Sequence, residues 1–168
     1  QAFSLHAPTF RVLALPENRG KGHAVKKGIE ASTGKVVLFM DADLSTPIEE
    51  LEAMLPLLEQ HDAVIGSRYL EDSRVEKKQP RHRILLSRLG NAIISLFLLD
   101  GVKDTQCGFK LFRGEVARTM VRFQRVHRFG FDMELLVILR SLGYRLVEQP
   151  VSWMNSSDSR LRPIKDAI

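Results

Sequence analysis

At 168 residues and 44% hydrophobic, the chain is long enough for one domain with a substantial core, and no shift in composition along it marks a second. Its 25 Lys and Arg against 20 Asp and Glu give a formal charge of +5 and a pI near 9.6, which points to an anionic partner: nucleic acid, a phosphorylated substrate or an acidic membrane surface. The single cysteine, Cys107, excludes an internal disulfide framework and fits a reducing compartment.

In chain order, Arg11 to Leu15 reads as a strand, and the turn formers Pro16-Glu17-Asn18-Arg19-Gly20-Lys21-Gly22 read as a loop. From His23 to Ser32 the residues Ala24, Val25, Gly28, Ile29 and Ser32 fall on one helical face, with Lys26, Lys27 and Glu30 opposite, and Thr33-Gly34 ends the helix. The run Val36-Val37-Leu38-Phe39-Met40 then reads as a strand buried on both faces of a parallel sheet, followed directly by Asp41-Ala42-Asp43. Open α/β sheets bind ligands at the carboxyl ends of their strands, so this pair has two readings. Either it holds a hard divalent cation whose shell is completed by phosphate oxygens and water, or Asp41 caps the next helix and Asp43 is solvated.

Thr46, Pro47 and Glu49 form a helix-start signal for a helix to about Gln60, with Leu51, Met54, Leu55 and Leu58 inward and Pro56 bending or ending it. Ala63 to Gly66 is the next buried strand and delivers Ser67, Arg68 and Tyr69 to the edge that carries the aspartates. Glu71 to Arg83 is charged and reads as a mobile surface loop of the kind that forms lids. Ile84 to Leu99 reads as an apolar helix with Arg83 and Arg88 at its start; its most apolar part, Ala92 to Leu99, is too short to cross a bilayer. Asp104 to Phe112 is a loop entering a strand, Gly114 to Phe123 a short helix, Phe131 to Leu142 a helix stopped at Gly143, and Tyr144 to Trp153 a last strand. The phenylalanines Phe109, Phe112, Phe129 and Phe131 are most economically core, and His23 and His127 are surface or packing residues.

Five motifs in this order, Glu17-Asn18-Arg19-Gly20-Lys21-Gly22, Asp41-Ala42-Asp43, Gly66-Ser67-Arg68, Asp104 to Phe112 and Phe131-Asp132-Met133-Glu134-Leu135-Leu136, resemble those of inverting family 2 glycosyltransferases. The resemblance runs from about residue 11 to residue 155 and comes nearest to the dolichyl- or polyprenyl-phosphate β-glucosyltransferases. Asp104-Thr105-Gln106-Cys107-Gly108-Phe109-Lys110 is its most specific block; the related mannosyltransferases tend to carry Thr-Ser-Gly-Phe-Arg there. The resemblance implies the GT-A fold, a Rossmann-like nucleotide-diphospho-sugar transferase fold of a mostly parallel sheet flanked by helices. It also implies a metal-dependent transfer of a hexose, glucose from UDP-glucose, to a polyprenyl or dolichyl phosphate with inversion; GDP-mannose is the alternative donor.

By the same resemblance, Asp43 with help from Asp41 would hold Mg²⁺ or Mn²⁺ and offset the charge that grows on the leaving diphosphate. Asp41, Arg68, Lys21, Arg83 and Arg88 are the candidate donor and phosphate-binding residues, and Gln106, Gly108 and Lys110 the candidate acceptor pocket. Ser45 stands where related mannosyltransferases have a Gln that joins the metal. Asp132, Asp104 and Glu134 are the catalytic candidates. A sugar hydroxyl acceptor needs a base, for which Asp132 or Glu134 would serve. A lipid phosphate, with a second pKa of about 6, arrives largely ionised and needs none, which leaves Asp104 and Asp132 to organise the acceptor pocket. Their plainer reading is a loop turn and a helix cap.

The family begins with a strand, loop and helix bearing a Pro-X-X-Asn-Glu-like segment that grips the nucleobase, and residues 1–10 do not supply it. The chain, taken as a single catalytic domain over residues 1–168, is therefore expected to lack the N-terminal βα unit, to be a piece of a longer protein or a binding scaffold, and to bind donor weakly. An unpaired sheet edge makes homodimerisation or exchange of elements an expectation. The expected partners are a nucleotide-sugar donor, a lipid-phosphate acceptor and a membrane surface, with the protein in the cytoplasm or on the cytoplasmic face of a membrane. Two other classes compete. A haloacid-dehalogenase-type phosphohydrolase also places Asp-X-Asp after a strand but needs a later acidic pair around a glycine, which is missing. A nucleic-acid or scaffold domain rests on pI alone, with no aromatic and basic surface motif behind it, so no nucleic-acid partner is expected.

Overall fold

The computed structural model describes residues 11–76, 99, 101–128 and 130–154. Its elements are α1 (Lys21–Ala31), β1 (Val36–Met40), α2 (Glu50–Met54) running into a 3₁₀ helix (Leu55–Glu59), β2 (Ala63–Ser67), β3 (Arg74–Glu76), β4 (Phe109–Arg113), α3 (Gly114–Phe123), α4 (Phe131–Ser141), β5 (Leu146–Pro150) and β6 (Ser152–Met154). The main sheet has the order β1-β4-β2-β5, and β3 and β6 form a separate two-stranded ribbon. β4 runs antiparallel to both β1 and β2, while β2 and β5 are parallel. Three strands therefore point one way and β4 points against them. The expected parallel neighbours of β1 and β2 are separated by an antiparallel strand, and the sheet is mixed.

Strand periodicity decides what lies on each face. Ala63, Phe112 and Val37 pack with α1, α3 and α4 through Ile29, Val116, Ala117, Met120, Val121, Phe131, Leu135 and Leu139. Val64, Phe109 and Leu111 point to the other face, against Met54 and Leu58 of α2 and the 3₁₀ helix. Fully burying an aromatic such as Phe109 or Phe112 contributes about 1.5–3 kcal/mol of transfer free energy, and both are completely buried. The same alternation turns Lys110, between them, toward the α3 and α4 face. Gly22 lets α1 come down on α4: a Cβ there would lie 2.6 Å from Cβ of Phe131.

Several expectations need correction. Arg11 to Leu15 forms no strand, since a strand exists only through a neighbour's ladder and none pairs with it among the described residues. β1 is not buried on both faces; Val36 is 41% exposed, because β1 is the outer strand among the described residues and β2 is the one buried throughout. α1 begins at Lys21, earlier than expected, and leaves Ala24 and Gly28 exposed while burying Gly22 and Ile29. Thr46 makes no cap: from Pro47 the chain winds in i to i+3 turns that run into α2, which starts at Glu50. Pro56 does end the α-helix, which tightens to 3₁₀ at Leu55. Part of the charged segment, Arg74 to Glu76, is β3, and the last strand breaks at Val151 so that Ser152 to Met154 can pair with it. The helix expected over residues 84–99 lies outside the described residues except for Leu99, which is buried with Ile65, Val102 and Leu136; Phe129 is also outside them.

Candidate active site

Val37, Phe39 and Asp41 alternate onto the α1 and α4 face, so the first carboxylate after β1 meets the first residue of α1. Lys21 Nζ lies 2.6 Å from Asp41 Oδ1, both side chains about one-third exposed at 32% and 34%. The ammonium also stands 5.4 Å from the ring centre of Phe39 and 5.8 Å from that of Phe131, cation–π distances. Asp41 is braced from behind: its N–H donates to Gly108 O at 2.9 Å, and a Cβ at residue 108 would fall on the Asp41 carboxylate. Gly108 thus serves as a cradle for Asp41.

Asp43 differs from Asp41 in environment. It is exposed, and its Oδ1 accepts the backbone N–H of Ser45 at 3.0 Å. The chain reverses between them through Leu44, a left-handed non-glycine residue (φ 55) that is 62% exposed. Such a backbone costs roughly 1–3 kcal/mol and persists where the surroundings enforce it. Ser45 is buried, and its carbonyl accepts Met154 N–H at 2.8 Å, which ties β6 to this turn.

The second cluster is Arg68 with Asp104. Arg68 gives its backbone N–H and Nε to Oδ2, at 3.0 and 2.7 Å, and Nη2 to Oδ1 at 2.9 Å, a bidentate fork on a fully buried carboxylate. Burial works against both charges, but the hydrogen bonds between them prevail: Asp104 titrates below the usual carboxylate range and Arg68 above its ordinary value. Glu148 of β5 fixes the loop beneath, accepting Lys103 N–H and Asp104 N–H at 2.8 Å each. The Arg68 guanidinium faces the rings of Tyr69 and Trp153, each 5.6 Å away.

The third is Lys110 with Asp132. Lys110 is fully buried, and its Nζ donates to Cys107 O at 2.5 Å and to Asp132 Oδ1 at 2.7 Å. Burial pushes the Asp132 carboxyl up, Lys110 and then Lys21 pull it down, and Asp41 adds a push upward. Charges therefore alternate from Asp41 to Lys21 to Asp132 to Lys110 around Phe39, whose ring lies 5.8 Å from Lys110 Nζ.

Lys21, Asp41 and Gly108 are thus brought together, and so are Lys110 with Asp132 and Arg68 with Asp104. Lys110, expected in an acceptor pocket, has its ammonium bound internally. Glu134 accepts Arg125 N–H at 2.9 Å and Val126 N–H at 2.8 Å, strapping the segment between α3 and α4. Gln106 is exposed, with its backbone N–H 3.3 Å from Asp104 Oδ1. Arg83 and Arg88 lie outside the described residues. Sequence reading brought Tyr69 to this edge with Arg68 but missed Glu148, Phe39 and Trp153; the one signal available was a carboxylate beside the apolar pair Leu146-Val147. The described residues contain no group of three or more His, Cys, Asp or Glu placed to hold a metal by themselves.

Residues 1–121 match Glycosyl transferase family 2. The chain is 38% identical over 168 residues to dolichyl-phosphate beta-glucosyltransferase ALG5C of Trichomonas vaginalis, covering 95% of this chain and 49% of that protein. It is 36% identical over 161 residues to the dolichyl-phosphate beta-glucosyltransferase of Homo sapiens, covering 91% and 49%. It thus spans about half the length of the curated relatives it matches. Among solved structures, glucosyl-3-phosphoglycerate synthase from Mycobacterium tuberculosis, in complex with Mn²⁺, UDP-glucose and phosphoglyceric acid, superposes with a TM-score of 0.54 at 19% identity, over 91% of this chain and 51% of that one. That likeness establishes the GT-A type of fold, and with the match over residues 1–121 the chain belongs to glycosyl transferase family 2.

Proposed function

We propose that this chain forms the donor-phosphate side of a hexosyltransferase that moves glucose from UDP-glucose to the phosphate of a dolichyl or other polyprenyl lipid. The observation that carries this reading is how the candidate acids are engaged. Asp132 is bound to Lys110, Asp104 to Arg68, and Glu134 to two backbone amides. None is a free base poised to deprotonate a sugar hydroxyl. An acceptor phosphate, with a second pKa of about 6, brings its own ionised oxygen. The names of the relatives at 38% and 36% identity support the same acceptor and sugar.

The acidic pair after β1 suits a divalent cation: Asp41 is braced on Gly108, Asp43 is exposed, and a hard cation takes carboxylate, phosphate and water oxygens together. Bound Mg²⁺ or Mn²⁺ would offset charge on the leaving diphosphate. The chain's own residues do the rest. Lys21 presents an ammonium beside Asp41, and Arg68, locked by Asp104 and Glu148, presents its remaining N–H groups to phosphate oxygens. In the transfer, an acceptor phosphate oxygen attacks the anomeric carbon opposite the bond to the diphosphate; the new C–O bond forms as the old one breaks, and the anomer inverts. The charge of +5 suits an anionic bilayer surface, so we place the protein peripherally on the cytoplasmic face of a membrane. Among the described residues no helix is long and apolar enough to cross one. The outer edge of β1, unpaired among the described residues, is where a second copy would add.

Calorimetric titration with UDP-glucose and GDP-mannose, in Mn²⁺ and then in chelator, tests this. The expected result is Mn²⁺-dependent binding of UDP-glucose, lost in Asp43→Ala, followed by glucose transfer to a polyprenyl phosphate. Preference for GDP-mannose would replace glucose by mannose, and binding unaffected by chelator and by Asp43→Ala would overturn the metal assignment.

A further inference from the structure

The Lys21 and Asp41 pair occupies a carboxylate that the reading above assigns to a cation. We propose that Lys21 is a tethered counter-ion that holds Asp41 until a metal-bound diphosphate displaces it, so that cation binding and diphosphate binding are coupled through this one side chain; the inference rests on that donor-site reading.

The geometry decides which partner must move. Asp41 is the less mobile of the two: its side chain is short, its backbone N–H is held by Gly108 O at 2.9 Å, and its carboxylate packs against Gly108. Lys21 can move: its ammonium sits on a flexible four-carbon stem, and the side chain is 32% exposed. A bare divalent cation reaching Asp41 breaks a 2.6 Å ion pair and meets the lysine's positive charge at close range. A cation that arrives with a diphosphate supplies that ammonium with new anionic oxygens, and the repulsion becomes attraction. The rings of Phe39 and Phe131 keep the displaced ammonium near its place, at 5.4 and 5.8 Å in the free state. Lys110, the other cation beside Phe39, cannot substitute, since it is buried on Asp132 and Cys107 O.

Coupling of this kind is reciprocal and typically amounts to about 5- to 150-fold in affinity. The test is Mn²⁺ binding to the 168-residue chain, followed by the paramagnetic resonance signal of free Mn²⁺, with and without UDP-glucose and corrected for chelation by the nucleotide. Lys21→Met keeps the apolar stem and removes the charge; Lys21→Arg keeps the charge. In Lys21→Met, Mn²⁺ without nucleotide binds at least about fivefold tighter than in wild type, and the gain on adding UDP-glucose shrinks by a similar factor. Lys21→Arg stays close to wild type. Thermal melting shows that the Met variant is folded. Equal or weaker bare Mn²⁺ binding in Lys21→Met overturns the inference and leaves the donor site standing. No Mn²⁺ binding to wild type or variant, with or without UDP-glucose, overturns the donor-site reading and this inference with it.

Discussion

Lys110 is a lysine with no exposed surface, held by one carboxylate and one carbonyl. Removing one member of such a pair strands the other charge, and breaking buried pairs costs about 3–5 kcal/mol. Lys110→Met should therefore destabilise by about that amount in urea unfolding, whereas Lys110→Met with Asp132→Leu should recover most of the loss, because neither charge remains to be solvated. A double variant no more stable than Lys110→Met would show that the pair is not the dominant interaction at this spot. Asp104 makes a prediction in pH. Its folded pKa lies below the unfolded value of about 3.9, so its contribution is fully present above that value and is lost as pH falls through the folded pKa. Asp132, raised by burial, acts the other way: its contribution is present below about 3.9 and is lost as pH rises through its raised folded value. Urea unfolding between about pH 2 and 7 should thus show a steep acid limb that flattens in Asp104→Asn. An unchanged limb in that variant would assign acid lability to other carboxylates.

The elements legible in the sequence were those whose signal is local. Gly114 to Phe123 and Phe131 to Ser141 carry apolar faces at helical spacing, and the structure forms both over nearly the expected residues. The strand read at Ala63 to Gly66 forms and extends to Ser67, and the loop read from Asp104 enters a strand at Phe109 that runs to Arg113. What failed depended on partners far away in the chain. Arg11 to Leu15 has the composition of a strand but no neighbour to pair with among the described residues, and β4 enters the sheet antiparallel between β1 and β2, which no local pattern encodes. The site divides in the same way. Asp41 and Asp43 were visible because acids after an apolar strand fall at a sheet edge. That Lys110 and Asp132 neutralise each other follows from β4 turning alternate residues under α4, 22 positions later in the chain, a tertiary fact.

At the scale of the molecule, the sheet order sets a gradient of stability along which the candidate site lies. β2 is hydrogen-bonded on both sides, by β4 and β5, and all five of its residues are buried. Among the described residues β1 is bonded on one side only, and it carries Asp41 and Asp43 just past its end. Amides that open only when the whole core comes apart exchange at the rate set by global unfolding, and those at an unpaired edge exchange through small local openings. Hydrogen exchange should therefore find the amides of Val64 and Ile65 among the slowest. Those β1 amides that do not point to β4 should exchange orders of magnitude faster. The braced half of the site, Gly108 at the start of β4 with Lys110 and Asp132 behind it, belongs to the slow part, and the turn through Leu44 to the fast part. A donor site with one fixed wall and one adjustable wall is what binding and release of a bulky diphosphate require. If β1 were protected as strongly as β2 along its whole length, its outer edge would be covered, and the adjustable wall would have to be sought elsewhere.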